Sequence, residues 1–438
     1  MEGLMKEPYP FIIAASVILI VSFLFGEISK KTSIPSVLLL IIFGVFIKLG
    51  MDNFGIGDFN FLPILKILGT IGLIMIVLEA ALELKLERSK LVPILLALGI
   101  ALVGLLLSTW ITAEILHYFI DFSEYNTPGL EQSKLVAWLY ATPLSILSSA
   151  IIIPSVVDLR NDKKEFHIYE STFSDIIGIM LFQLLSGMIV QPGSDAHASG
   201  LGSFALSFLL IMAIALISSY MIVLIFQRIS SSAKLFLLIA TLLLVYSVGV
   251  LMHLSALIII LIFGLVIANM DLFFVGPLKK WLDKKKAHDI YHGLHVITLE
   301  TAFVIRTFFF VVFGITIVFS SLSSLSVLGV SILCIAVIYI IRYLLLRASL
   351  GSDIHPQIFI APRGLITILL FYKIPEYLET ENFSQGILLF VIIGTSIIMT
   401  ISLIMNKNRA NKAIKGVQSV DISETKWKVP DLKPKTDS

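Results

Sequence analysis

Residues Phe166–Phe182 read FHIYESTFSDIIGIMLF and set two carboxylates and two hydroxyls inside a run that is apolar on both sides. Asp175 falls about ten residues into that run, which at about 1.5 Å per helical residue lies near mid-bilayer. Glu170, Ser171, Ser174 and Asp175 stand at i, i+1, i+4 and i+5. A helix gathers them into one polar stripe, which Gly178 extends as a small-residue seam. A carboxylate in hydrocarbon is costly, so such groups usually face a bundle interior or a wet cavity and act on ions or protons. The plainer alternative is a tie between two helices, but a tie rarely needs two carboxylates and two hydroxyls on one stripe. Deprotonated Asp175 can take a hard monovalent cation through oxygen; protonated Asp175 cannot.

The elements that must position this stripe are membrane helices. The chain has 438 residues, 57% of them hydrophobic and only 14% charged, against roughly a quarter charged in an average soluble domain. The expected fold is therefore an all-α polytopic membrane protein. Apolar runs give thirteen expected spans: 10–26, 35–50, 62–82, 91–117, 134–157, 166–190, 203–226, 232–251, 254–271, 295–320, 326–348, 357–373 and 386–406. The eighth and ninth are kept apart at Met252-His253, because one helix over both is about twice as long as the hydrocarbon is thick. The first run lacks a basic leader and a small-residue cleavage site, so it reads as a retained span. A single cysteine, Cys334, excludes a disulfide framework and a thiolate metal cluster. No HExxH or His/Cys ligand spacing occurs, the histidines sit in loops or near span ends, and no cofactor is expected. The formal net charge of +2 gives no nucleic-acid signal, and no nucleic-acid partner is expected.

Basic residues orient the spans. Segments 27–34, 83–90, 158–165, 227–234, 271–294 and 347–356 hold 16 Lys and Arg, whereas the alternate connections with residues 1–9 hold only Lys6. Basic loops stay cytoplasmic, so the N-terminus is expected outside and the C-terminus inside. The expected domain is 1–406. A short basic tail, 407–438, with Pro430 and Pro434, is expected to be disordered or to lie on the membrane surface.

Two spans carry helix breakers. The fifth contains Thr142-Pro143 followed by Ser145, Ser148 and Ser149, and the twelfth contains Pro362-Arg363-Gly364. Proline removes a donor, and irregular backbone at membrane depth survives only when buried in protein or lining a cavity. Spans 1–6 and 8–13 then form two halves of opposite orientation linked by span 7, with a break at the fifth position of each. That pattern points to an ion site at the crossing of an inverted repeat, although a proline kink with no transport role has the same sequence. Three arginines lie inside spans: Arg306, Arg342 and Arg363. By depth Arg342 matches Glu170 and Arg306 matches Asp175, which leaves open which arginine is the main carboxylate partner. Glu79, Glu114 and Glu300 fall nearer span ends and are expected to face water, with Glu79 and Glu300 able to line a cytoplasmic funnel.

These residues resemble the monovalent cation/proton antiporter superfamily, in particular its sodium/proton exchanger branch. Glu170-Ser171-Thr172-Phe173-Ser174-Asp175 is similar to the E-S-x-x-N-D signature. The runs IPSVLLLIIFG (34–44), LEAALEL (78–84) and FFFVVFG (308–314), the arginine of span 11 and PRG (362–364) follow in the same order. The resemblance implies that Asp175 binds cation and proton in turn. It implies that Glu170, held by Arg342, orients the site, and that Arg363 sits near the half-helix ends. Ser171, Ser174 and Thr142 become candidate oxygen ligands of the transported cation. The resemblance also implies a homodimer in which a core bundle moves against a fixed dimerisation domain. Two departures bear on ion choice: Ser174 replaces an asparagine, and Ala141-Thr142-Pro143 lacks the acidic residue of a T-D-P motif. Arg306 also resembles a basic residue that another branch places in span 10.

The expected activity is exchange of a monovalent cation, Na+ ahead of K+ or Li+, for H+ across a lipid bilayer, electroneutral and by alternating access. A bacterial plasma membrane is the expected location. The alternatives are a K+/H+ antiporter and a sensor of the same fold that no longer transports. An intramembrane hydrolase is disfavoured because no second deep aspartate or Ser–His pair accompanies Asp175, and an enzyme is not expected. A ligand-gated channel would need a regulatory domain larger than this tail.

Overall fold

The computed structural model describes residues 9–32, 34–53, 62–86, 88–127, 130–157, 159–189, 201–229, 234–251, 256–276, 281–316, 324–380 and 382–418. Among these, nearly all regular structure is helical, as a membrane demands of a chain whose backbone groups must bond one another. The first four helices are α1 (Tyr9–Thr32), α2 (Ser36–Asn53), α3 (Leu62–Glu83) and α4 (Leu91–Phe119). A two-stranded antiparallel hairpin, β1 (Asn126–Thr127) and β2 (Leu130–Glu131), leads into the fifth span. That span is split into α5 (Ser133–Ser145) and α6 (Ser149–Ser155). Then come α7 (Asn161–Met188), α8 (Leu201–Phe226), α9 (Lys234–Leu251), α10 (Ala256–Ala268) and the short α11 (Met270–Phe273). The chain closes with α12 (Lys284–Thr316), α13 (Leu325–Leu350), α14 (Leu365–Phe371) and α15 (Gly386–Gln418). Eleven helices among the described residues are long and apolar enough to cross a membrane.

All thirteen expected spans have a counterpart, but their ends move. The tenth was expected from 295, whereas α12 begins at Lys284; α15 runs to Gln418, past the expected start of the tail at 407. Lysines and asparagines mark where hydrocarbon ends, and a helix can continue through them because they are ordinary helix residues in water. Residues 419–438 of the expected tail, and the Met252-His253 boundary, lie outside the described residues.

The helices sort into two bundles. α4, α5, α6, α7, α13, α14 and α15 pack on one another, while α12 packs on α2 and α3, and α10 packs on α3, α8 and α9. Each half of the chain therefore gives its first three spans to one bundle and its last three to the other. α10 is apolar all round and correspondingly buried, whereas α1 turns most of its apolar surface outward. The α2–α12 contact depends on two glycines. A Cβ on Gly44 would stand 2.2 Å from the Val311 carbonyl oxygen, and one on Gly314 would stand 2.4 Å from that of Ile41. Without an aqueous drive to associate, membrane helices rely on such close backbone approach.

Candidate functional site

Both interrupted spans lose their helix, the twelfth at its breakers and the fifth just past them. α5 ends at Ser145, two residues after Pro143; Ile146–Ser148 lie outside any helix, and α6 restarts at Ser149. In the twelfth span a 3-10 turn at Gln357–Phe359 gives way to irregular chain through Pro362-Arg363-Gly364 before α14 begins. The two breaks touch. The Ser148 N–H donates to the Pro362 carbonyl at 3.0 Å. Gly364 makes this approach possible, since a Cβ there would lie 2.6 Å from Ser148 Oγ and 2.7 Å from Ile151 Cδ1.

α7 supplies the side chains that complete the crossing. Gly178 lets it close on the first break, because a Cβ would lie 2.4 Å from Ile146 Cδ1. Ser174 Oγ accepts the Leu147 N–H at 3.0 Å, and Asp175 Oδ2 lies 3.4 Å from the Ser149 N–H that donates to it. Adjacent residues of one helix thus serve amides that the broken span cannot satisfy itself. Asp175 is 1% exposed, and its Oδ1 has no hydrogen-bond partner among the described residues.

Glu170, one and a half turns earlier, has a full set of partners. Arg342 of α13 donates Nη1 to Oε1 at 2.7 Å and Nη2 to Oε2 at 2.9 Å, and its Nε donates to the Gln357 carbonyl at 3.0 Å. This bidentate, buried pair links α7, α13 and the approach to the second break, and its geometry is of the strong charge-assisted kind. His167 Nδ1 stands 3.3 Å from Glu170 Oε2 with its side chain wholly buried. Sequence reading placed this histidine at a span end. The signal that it belongs to the site was its i, i+3 spacing to Glu170 on the same stripe. At the start of α7, Lys163 donates to the Asp353 carboxylate at 2.8 Å and to the His355 carbonyl at 2.7 Å. The lysine holds the exposed Asp353 carboxyl below the ordinary carboxylate range and fastens α7 to the loop that enters the second break.

Arg306 does not meet Asp175, the group it matched in depth. Its Nη2 donates to Glu79 Oε1 at 3.1 Å, and its Nε to the Ala302 carbonyl at 3.3 Å. The reason is packing: α12 lies against α2 and α3, so a residue at that depth reaches α3 rather than α7. Glu79, expected to face water, is accordingly 9% exposed and ion-paired. Glu114 and Glu300 are exposed. Glu79, Glu83, Arg306 and Ser149 line a cavity of about 240 Å³, and Arg306 also borders one of about 530 Å³ beside α1 and α2. The smaller cavity ends at the residue whose amide holds Asp175.

The remaining candidates are buried near the crossing without bonding to Asp175. Ser171 Oγ donates to the His167 carbonyl at 2.7 Å and Thr142 Oγ1 to the Trp138 carbonyl at 2.8 Å, each within its own helix. Both oxygens keep lone pairs for a ligand. Arg363 is 2% exposed; its backbone N–H donates to Thr395 Oγ1 at 3.0 Å, while its Nε and Nη1 are buried without a hydrogen-bond partner among the described residues.

The sequence profile described as sodium/hydrogen exchanger, transmembrane, matches residues 16–406. No curated protein matches the chain. Among solved structures, the chain is similar to the sodium proton antiporter MjNhaP1 from Methanocaldococcus jannaschii at pH 8. The TM-score is 0.63 and the identity 20%, over 92% of this chain and 99% of that one. An electron-microscopy structure of the same antiporter gives a TM-score of 0.60 at 20% identity, over 95% and 99% of the two chains.

Proposed function

The chain belongs to the transmembrane sodium/hydrogen exchanger family, and from that premise we propose that Asp175 is the carboxylate for which its cation and its proton compete. The protein is a secondary transporter, not an enzyme, and couples a monovalent cation to H+ by alternating access. The observation that carries the assignment is the unpartnered Oδ1 of Asp175, buried at the crossing of two broken helices next to a cavity that ends at Ser149. Unwound backbone and a carboxylate are the oxygen donors such transporters use for Na+ and H+. In this reading Ser174, Ser171 and Thr142 add oxygen to the coordination. Arg342 fixes Glu170 so that α7 presents Asp175 in one orientation, and Arg306 holds Glu79 at the cavity. Na+ is the proposed cargo, with a homodimer in a bacterial plasma membrane, the N-terminus outside and the C-terminus in the cytoplasm.

Loading then follows charge. A proton or a monovalent cation each cancels the single charge of Asp175, so the loaded site crosses with the same net charge in either direction. Exchange should be one for one. The test is proteoliposomes clamped at several potassium/valinomycin potentials under fixed sodium and pH gradients. The sodium gradient at zero flux should not move with voltage. A shift would show a second titrating group, and Glu83, whose Oε2 is buried without a hydrogen-bond partner in the same cavity, is the first to replace. Flux driven by K+ but not Na+ would reassign the cargo, and no flux with Na+, K+ or Li+ would leave a non-transporting sensor.

A further inference from the structure

A separate cavity of about 30 Å³ lies between α4, α13 and the two breaks, and Asp175 is not part of its wall. Its polar lining is Ser108, Ser145, Ser174, Glu170, Arg342 and Arg363. Glu170 and Arg342 neutralise each other through two hydrogen bonds, which leaves Arg363 as the charge without an answer. A guanidinium keeps its proton in a protein, and a buried charge without a partner is strongly destabilising. Nε and Nη1 of Arg363 are donors with no acceptor among the described residues. Ser174 Oγ already accepts the Leu147 N–H, so its own proton is left to donate. The site therefore offers one net positive charge and several hydrogen-bond donors in a space lined mostly by apolar residues.

We propose that this cavity binds one small inorganic anion, chloride in the cell, between the Arg363 guanidinium and the hydroxyls of Ser108 and Ser174; Ser145 Oγ donates to the Ala141 carbonyl at 2.9 Å and only lines the wall. The cavity has room for an ion larger than one water, and its single net positive charge suits a monovalent halide rather than divalent sulfate. Arg363 adjoins Gly364, which touches Ser148, and the next residue, Ser149, holds Asp175. An anion on Arg363 offsets a positive charge that otherwise opposes cation binding at the crossing, so anion and cation should each strengthen the other's binding. That coupling rests on Asp175 being the cation carboxylate; anion binding itself does not.

The test uses the purified full chain without sodium, in choline gluconate exchanged for choline chloride at constant ionic strength. The melting temperature should rise and saturate with chloride, as binding to the native state alone requires. Bromide should act alike and sulfate should not. Arg363→Gln should remove the response. If that variant fails to fold, Ser108→Val, which narrows the cavity from α4 and leaves Arg363 in place, should raise the half-saturating chloride concentration about tenfold. No saturable shift in the parent protein, or an equal shift with sulfate, overturns the site and leaves water as its filling. In proteoliposomes, replacing chloride by gluconate should raise the apparent KM for the cation about fivefold, at the low end of site–site coupling. A melting response without a change in KM overturns the coupling to Asp175 while the anion site stands.

Discussion

Asp175→Asn should show no cation-driven proton flux in proteoliposomes, while the protein still inserts and melts close to the parent. Removing one charge of a buried ionic contact costs roughly 3–5 kcal/mol, which is a loss of about 100-fold or more in cation affinity. The amide also cannot carry the returning proton. Asparagine has nearly the shape of aspartate, and its carbonyl oxygen can still accept the Ser149 N–H, so the crossing keeps its contacts. Substantial flux from a well-folded Asp175→Asn protein would contradict the assignment.

The second large effect concerns stability. Glu170→Gln leaves the Arg342 and Arg363 guanidiniums buried with no counter-charge and should destabilise the fold by roughly 3–5 kcal/mol. Arg342→Met costs less, because Glu170 loses its two hydrogen bonds but keeps the Arg363 charge across the cavity. The double variant removes both charges and should lose much less than the two single losses added together. Melting in detergent reads this directly. Additive losses would mean that the bidentate contact at 2.7 and 2.9 Å contributes nothing specific.

The features legible in the sequence are those fixed by local spacing or by depth. The offsets from Glu170 to Asp175 dictate one face of one helix wherever that helix packs. Pro362-Arg363-Gly364 lies in the break of its own span, whereas Pro143 sits inside α5, which ends two residues later at Ser145, so the proline marked the broken span but not the point of the break. Depth alone was a weaker guide. It matched Arg342 to Glu170 and equally matched Arg306 to Asp175, yet only the first two residues are in contact. Which helix faces which is set by long-range packing such as the Gly44–Gly314 approach of α2 to α12, and no local pattern encodes it. His167 was passed over because a span boundary drawn by hydropathy put it at the edge, although its helix starts at Asn161. The hydrogen bond between Ser148 and Pro362, which joins the breaks, is made by backbone and leaves no trace in residue type.

The competition at Asp175 is tested most directly by counting protons. Sodium is added to the detergent-solubilised protein in a weakly buffered solution, at a pH where the empty site is protonated, and the released acid is titrated. One proton should be released per cation bound, saturating with sodium, and none from Asp175→Asn. Release of the same size from Asp175→Asn, or sodium binding by the parent without release, would contradict it.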